Sequence, residues 1–111
     1  MDERERRLGQ NEAIFREVNE RLRVVNESFG ALTERMEIVC ECGDPSCAER
    51  ISVGIDEYED LRSHPDRFIL VPGHADPSDV EEVVAHDSGW EIVRKRKGAA
   101  AALAERTDQR T

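Results

Sequence analysis

Three cysteines within eight residues, Cys40, Cys42 and Cys47, constrain this chain more than any other feature. They stand in the run EIVCECGDPSCAERI, with a Gly-Asp-Pro-Ser turn between the second and the third. Such a cluster can ligate a metal, cycle through a disulfide, or pack as small hydrophobes. An odd count leaves one thiol unpaired in any single-disulfide scheme. Thiolates are soft donors that suit zinc, and a structural zinc site is a closed tetrahedron of sulfur and nitrogen. Three cysteines therefore call for a fourth ligand from another part of the chain. His74 follows a buried-strand pattern in a Pro-Gly turn, His86 stands at the tip of an expected hairpin, and His64 ends a short helix before Pro65. In that order they are the candidates, and the expected set is Cys40, Cys42, Cys47 and His74 around Zn2+.

Two other chemistries compete. In a thiol-based redox sensor, Cys40 and Cys42 would form a strained disulfide that Cys47 resolves. The acidic neighbours Glu41, Asp44 and Glu49 argue against it by raising thiol pKa values. A small zinc enzyme would use the three cysteines and leave an open water position. The chain contains no H-E-x-x-H, no deaminase-type H-x-E with P-C-x-x-C, no phosphate-cradling glycine loop and no nucleophile elbow. An iron–sulfur cluster would need a fourth thiolate or an unusual ligand set.

Composition narrows the setting. A chain of 111 residues that is 38% hydrophobic and 37% charged builds a modest core, for which a metal or a partner chain is a common staple. A net charge of −9 argues against broad binding to a nucleic-acid backbone. No apolar run approaches the ~18 residues of a membrane span. The N-terminal MDERERRLG lacks the apolar centre of a signal peptide. The expectation is a cytoplasmic protein, where clustered cysteines ligate metal more often than they form structural disulfides.

Before the cysteines, residues 2 to about 30 read as one helix. Leu8, Asn11, Phe15, Val18, Leu22, Val25, Phe29 and Leu32 alternate at spacings of three and four, a heptad seam. Glu12 with Arg16 and Glu17 with Arg21 are placed on the outer face as (i, i+4) pairs, and Gly30 is a helix stop. The seam either packs on the protein's own sheet or serves self-association or docking to a protein partner. The e and g positions lack the opposite charges that pair coiled coils, and Ile14 widens the stripe.

After the helix, residues 36–42 alternate as a strand, GDPS turns, and residues 49–53 return as its hairpin partner. Gly54 with Asp56 and Glu57 starts a short helix that ends at His64-Pro65. RFIL from Arg67 reads as a buried strand continuing to Val71, and residues 80–86 and 90–95 as a final hairpin across Asp87-Ser88-Gly89. Trp90 is read as a core or cross-strand anchor. Arg94, Lys95, Arg96 and Lys97 are read as the exposed end of an edge strand, with a nucleic-acid or acidic-partner patch as the competing reading. The Ala-rich end from residue 98 is read as a flexible tail, either a frayed helix or disordered.

Several of these segments together carry a likeness. NEAIFREV from Asn11, EIVCECGD, EYEDLR, PGH and AHDSGW resemble small uncharacterised proteins of high-GC actinobacteria, over most of the chain to about residue 97. The resemblance implies a bacterial cytosolic protein and carries no activity with it. The resulting expectation is an α+β protein: a helix over 1–33, a zinc-stabilised, mainly antiparallel domain over 34–97, and a tail over 98–111. Its expected role is a non-enzymatic interaction or regulatory module.

Overall fold

A computed structural model describes residues 1–28, 34–77 and 80–110. Helix α1 (Glu3–Ser28) leads into a hairpin of β1 (Arg35–Val39) and β2 (Arg50–Gly54). Then come α2 (Ile55–Arg62), β3 (Arg67–Leu70), the hairpin β4 (Glu81–His86) and β5 (Glu91–Lys95), and α3 (Ala99–Arg106). The architecture is α+β with two small antiparallel sheets, β1-β2 and β3-β5-β4. Alternation places Met36, Ile38, Ile51 and Val53 inward from the first hairpin. Phe68, Ile69, Leu70 and Val93 from the second sheet join them, with Tyr58, Leu61 and Trp90. Trp90 is an anchor of this core, as its position after the turn suggested. The entry to α2 is fixed by Glu57, whose carboxylate accepts the Gly54 N–H at 2.9 Å.

The buried face of α1 is not the apolar seam. Its buried residues are Glu12, Ala13, Arg16 and Asn19, so three polar side chains fill the stripe that faces the sheets. Leu8, Asn11, Phe15 and Leu22 lie half-buried at its margin, while Val18 and Val25 are exposed. Phe29, Gly30 and Leu32 lie outside the described residues. Glu12 and Arg16 are thus not an outer-face pair; each is fully buried with long-range partners. Glu17 and Arg21 do pair on the surface, at 3.1 Å.

Each buried polar group on α1 answers a group elsewhere. Lys95 Nζ stands 2.7 Å from Glu12 Oε1 and 2.6 Å from Glu81 Oε1, joining α1 to β5 and β4. Arg16 donates to the carbonyls of Pro65 and Ala104, both at 2.7 Å, and its guanidinium lies 4.5 Å from the Phe68 ring centroid. Asn19 donates to the Val39 carbonyl at 2.9 Å and accepts the Val39 N–H at 2.8 Å. Buried polar groups are tolerated only when satisfied in this way.

Two further expectations change for the same reason. The basic run does not lie on an edge: β5 is the central strand of its sheet. Lys95 is buried against the two glutamates, and Arg94 and Arg96 both pair with Glu82. The segment after residue 98 is not a flexible tail, because Ala99–Arg106 is helical and buries Ala101, Leu103 and Ala104. Arg16 holds the last turn of α3 from α1, and Gln109 donates to the Ala13 carbonyl at 3.2 Å. The lack of a side chain at Gly9 lets this helix lie close to α1: a Cβ built there would stand 2.6 Å from Leu103 Cδ2.

Two carboxyls sharing one ammonium leave a buried excess of negative charge. Burial pushes the Glu12 carboxyl up to about 8, with Lys95 opposing the rise. The folded state therefore keeps a proton on Glu12 that the unfolded chain releases near pH 4.5. Stability from this group is intact below that pH and erodes as pH climbs to about 8. Glu12→Gln cannot ionise, so denaturant unfolding should show it gaining on the wild type between pH 5 and pH 9, by on the order of 4 kcal/mol. Parallel curves for the two proteins across that range would contradict this assignment.

Candidate metal centre

The cysteine segment begins where β1 ends. Cys40 and Cys42 lie just beyond Val39 rather than inside the strand, although the Cys40 N–H still bonds the Glu49 carbonyl at 3.0 Å and continues the hairpin. Between them Glu41 points the other way, into the core. Its Oε1 accepts from Arg62 at 3.0 Å and from the Ile69 N–H at 3.1 Å, and its Oε2 accepts from Asn19 at 2.7 Å. The Glu41 N–H donates to the Ile69 carbonyl at 2.9 Å. These bonds fasten residues 40–42 alongside β3 and bring them near the turn that follows it.

Two β-turns deliver the remaining candidate ligands. Asp44-Pro45-Ser46-Cys47 closes with the Cys47 N–H on the Asp44 carbonyl at 3.0 Å, and the Asp44 carboxylate accepts from both the N–H and the hydroxyl of Ser46. Val71-Pro72-Gly73-His74 closes in the same way, with the His74 N–H on the Val71 carbonyl at 3.0 Å. Pro72 presets the second position, and Gly73 takes φ +87° at the third, the left-handed conformation that a type II turn requires. Each turn places its ligand at the fourth position, facing the other.

The result is a compact four-residue constellation. One donor atom from each of Cys40, Cys42, Cys47 and His74 lies within 4.8 Å of the others. His74 Nδ1 stands 3.6 Å from Cys40 Sγ and 3.7 Å from Cys47 Sγ. A tetrahedral zinc with ordinary Zn–S and Zn–N bonds sets sulfur and nitrogen about 3.6 Å apart, so the donors already have the spacing a metal ion needs. The four residues lie close enough to bind a metal ion. His64 and His86 are not members of this group; His86 is exposed at the end of β4.

Groups around the ligands complete the site. His74 Nε2 lies 2.9 Å from Glu49 Oε2, which fixes the ring orientation and leaves Nδ1 free to ligate. The Val71 N–H donates to Cys40 Sγ at 3.2 Å. Cys40 and Cys42 are buried and Cys47 half-buried. Without metal, burial pushes the Cys40 and Cys42 thiols up. The shift arises from desolvation, not from the acidic neighbours: Glu41 is turned into the core and Glu49 is occupied by His74. Sequence reasoning missed the part played by Glu49. Its only signal there was a carboxylate two residues after Cys47, which is weak in so acidic a chain.

Gly43 joins the site to α1. Its φ is +80°, and its carbonyl accepts from Asn11 at 3.1 Å. A Cβ there would stand 2.6 Å from Leu8 Cδ1, 2.9 Å from Glu12 Cγ and 3.1 Å from the Leu8 carbonyl. The cysteine loop and the helix thus touch backbone to backbone at the one residue between Cys42 and the Asp44 turn.

A scan against protein-family models, a search of curated proteins and a search of solved structures each found no match. The site is therefore read from its own geometry.

Gly43→Ala combines a strained backbone with a steric clash, so thermal unfolding should show a loss of about 2–4 kcal/mol and weaker metal retention. A variant as stable as wild type would show that α1 does not seat on this loop. Glu49→Ala leaves the four ligands in place and frees the His74 ring. Competition with a chromophoric chelator should reveal metal affinity reduced by about 10–100-fold, with Glu49→Gln falling between.

Proposed function

We propose that the protein is a cytosolic zinc-binding module without enzymatic activity, in which the metal ties the β1–β2 loop to the turn after β3. The observation that carries this reading is the Cys40, Cys42, Cys47 and His74 constellation, with His74 Nδ1 at 3.6 and 3.7 Å from two of its sulfurs. Three thiolates and one imidazole suit zinc, and they fill the tetrahedron from the protein. A closed site of this kind has no position for a reacting water, which favours a structural role over a catalytic one. A metal-free thiol sensor is the weaker reading, because burial keeps the Cys40 and Cys42 thiols protonated. Among the described residues no helix is long and apolar enough to cross a membrane.

The role we assign to the module is protein interaction through the outer face of α1. Ile14, Val18 and Val25 recur there at spacings of four and seven and are exposed, on the side opposite the polar stripe that meets the sheets. The polar stripe is fully committed to the fold, so this outer face is what the helix has to offer a partner.

Elemental analysis and native mass spectrometry of untagged protein test both parts. One zinc per chain is expected, and chelation should lower the melting temperature by more than 10 °C, a shift on the order of several kcal/mol for a structural zinc. His74→Ala should sharply weaken zinc binding while His86→Ala leaves it unchanged. Equal affinity in both variants would overturn the four-ligand site. Native spectra also read self-association: dimers that vanish in Val18→Glu would make a second copy the partner.

A further inference from the structure

The three thiols of the candidate site differ in their surroundings, and this difference has a chemical consequence. Cys40 is 1% and Cys42 8% exposed, whereas Cys47 is half-buried. Cys40 Sγ also receives the Val71 N–H at 3.2 Å. Cys47 Sγ faces the His74 ring at 3.7 Å, and the Cys40 and Cys42 thiols lie within 4.8 Å of it. From Asp44 to Arg50 every residue except Cys47 is exposed, so the outer wall of the site is one surface turn with Cys47 on its inner side. Backbone N–H bonds draw charge from a thiolate and make it a poorer nucleophile, and burial denies approach.

Resting on the zinc reading above, we propose that Cys47 is the site's point of attack for hydroperoxides, and that its oxidation releases the metal. Cys47, which zinc would hold as a thiolate, attacks the terminal peroxide oxygen. An S–O bond forms, the O–O bond breaks, and hydroxide, or the alkoxide of an organic hydroperoxide, leaves and takes a solvent proton. Sulfur loses two electrons to become a sulfenic acid, and the peroxide gains them. The Cys42 thiolate, within 4.8 Å of Cys47 and the less buried of the other two, then attacks the oxidised sulfur and expels a second hydroxide as the Cys42–Cys47 disulfide forms. Two of four ligands are thereby lost, and Cys40 with His74 alone do not hold a zinc ion tightly. The order of events separates this from a metal-free sensor, because the reactive form is the loaded protein.

The test uses full-length, zinc-loaded protein. Limiting iodoacetamide followed by peptide mass spectrometry maps thiol reactivity, and a chromophoric chelator reads zinc release. Cys47 should be alkylated at least about tenfold faster than Cys40 or Cys42, with one zinc freed per modified chain. Hydrogen peroxide should yield the Cys42–Cys47 disulfide in step with zinc release. Cys47→His keeps four donors without an outer thiol, and its zinc release by peroxide should slow about tenfold. If that variant does not fold, the reactivity map of the wild type still decides. Modification of Cys40 or Cys42 first, equal rates at all three, or zinc retained after Cys47 reacts would overturn the proposal. Protein that binds no zinc even after reconstitution would overturn it together with the metal site.

Discussion

The buried carboxylate of Glu41 holds the parts of this molecule in their relation to one another. It lies between two candidate ligands and points away from both, into a pocket formed by α1, α2 and β3. Arg62 supplies the opposite charge, and Asn19 and the Ile69 N–H donate two further hydrogen bonds. A charge with no exposed surface is tolerated only with partners as complete as these, and removing any one strands the others. Because Cys40 and Cys42 are its chain neighbours, the same bonds that bury Glu41 aim the two thiols at the turn carrying His74. The hairpin and the three-stranded sheet are thus joined through this segment.

The same logic governs α1. A helix that met the sheets through leucines alone could slide or rotate with little loss, since apolar contact is non-directional. Glu12, Arg16 and Asn19 instead meet Lys95, two carbonyls and both backbone groups of Val39, at fixed angles. Such a contact specifies one register at the cost of desolvating every group in it. It also explains how so charged a chain makes a core: the apolar cluster around Ile38, Ile51, Tyr58, Phe68 and Leu70 is small, and a shell of paired charged and polar groups extends it. A metal at the cysteine loop would add a further constraint at the place where α1 touches that loop through Gly43.

Local signals were legible wherever the chemistry is local. Pro72-Gly73 specifies its turn, Gly54 with Glu57 its helix start, and the alternation around Ile38 and Ile51 its hairpin. The membership of His74 in the cluster was legible too, because a Pro-Gly turn directly after a buried strand can return a side chain toward the strand's neighbour. Illegible were the partners that lie far apart in sequence. Glu12 and Arg16 are four residues apart and of opposite charge, so by spacing they read as a surface pair; only Lys95, 83 residues on, reveals that Glu12 is buried. Lys95 in turn sat in a run of four basic residues that resembled an exposed edge. The Ala-rich end read as a frayed or disordered tail because its stability comes from α1 and Arg16 rather than from its own sequence.

By itself the sequence determined the α+β class, the hairpins, the turns and the three thiols that could share an ion, since each depends on periodicity or on the conformational limits of a few adjacent residues. Tertiary structure alone decided which face of α1 is buried, that β5 is central, and that Glu49 orients His74. The physical reason is that charge and hydrogen bonding are paired across the fold. A polar residue declares itself buried only when the group that satisfies it is brought within about 3 Å, and no spacing along the chain records that meeting.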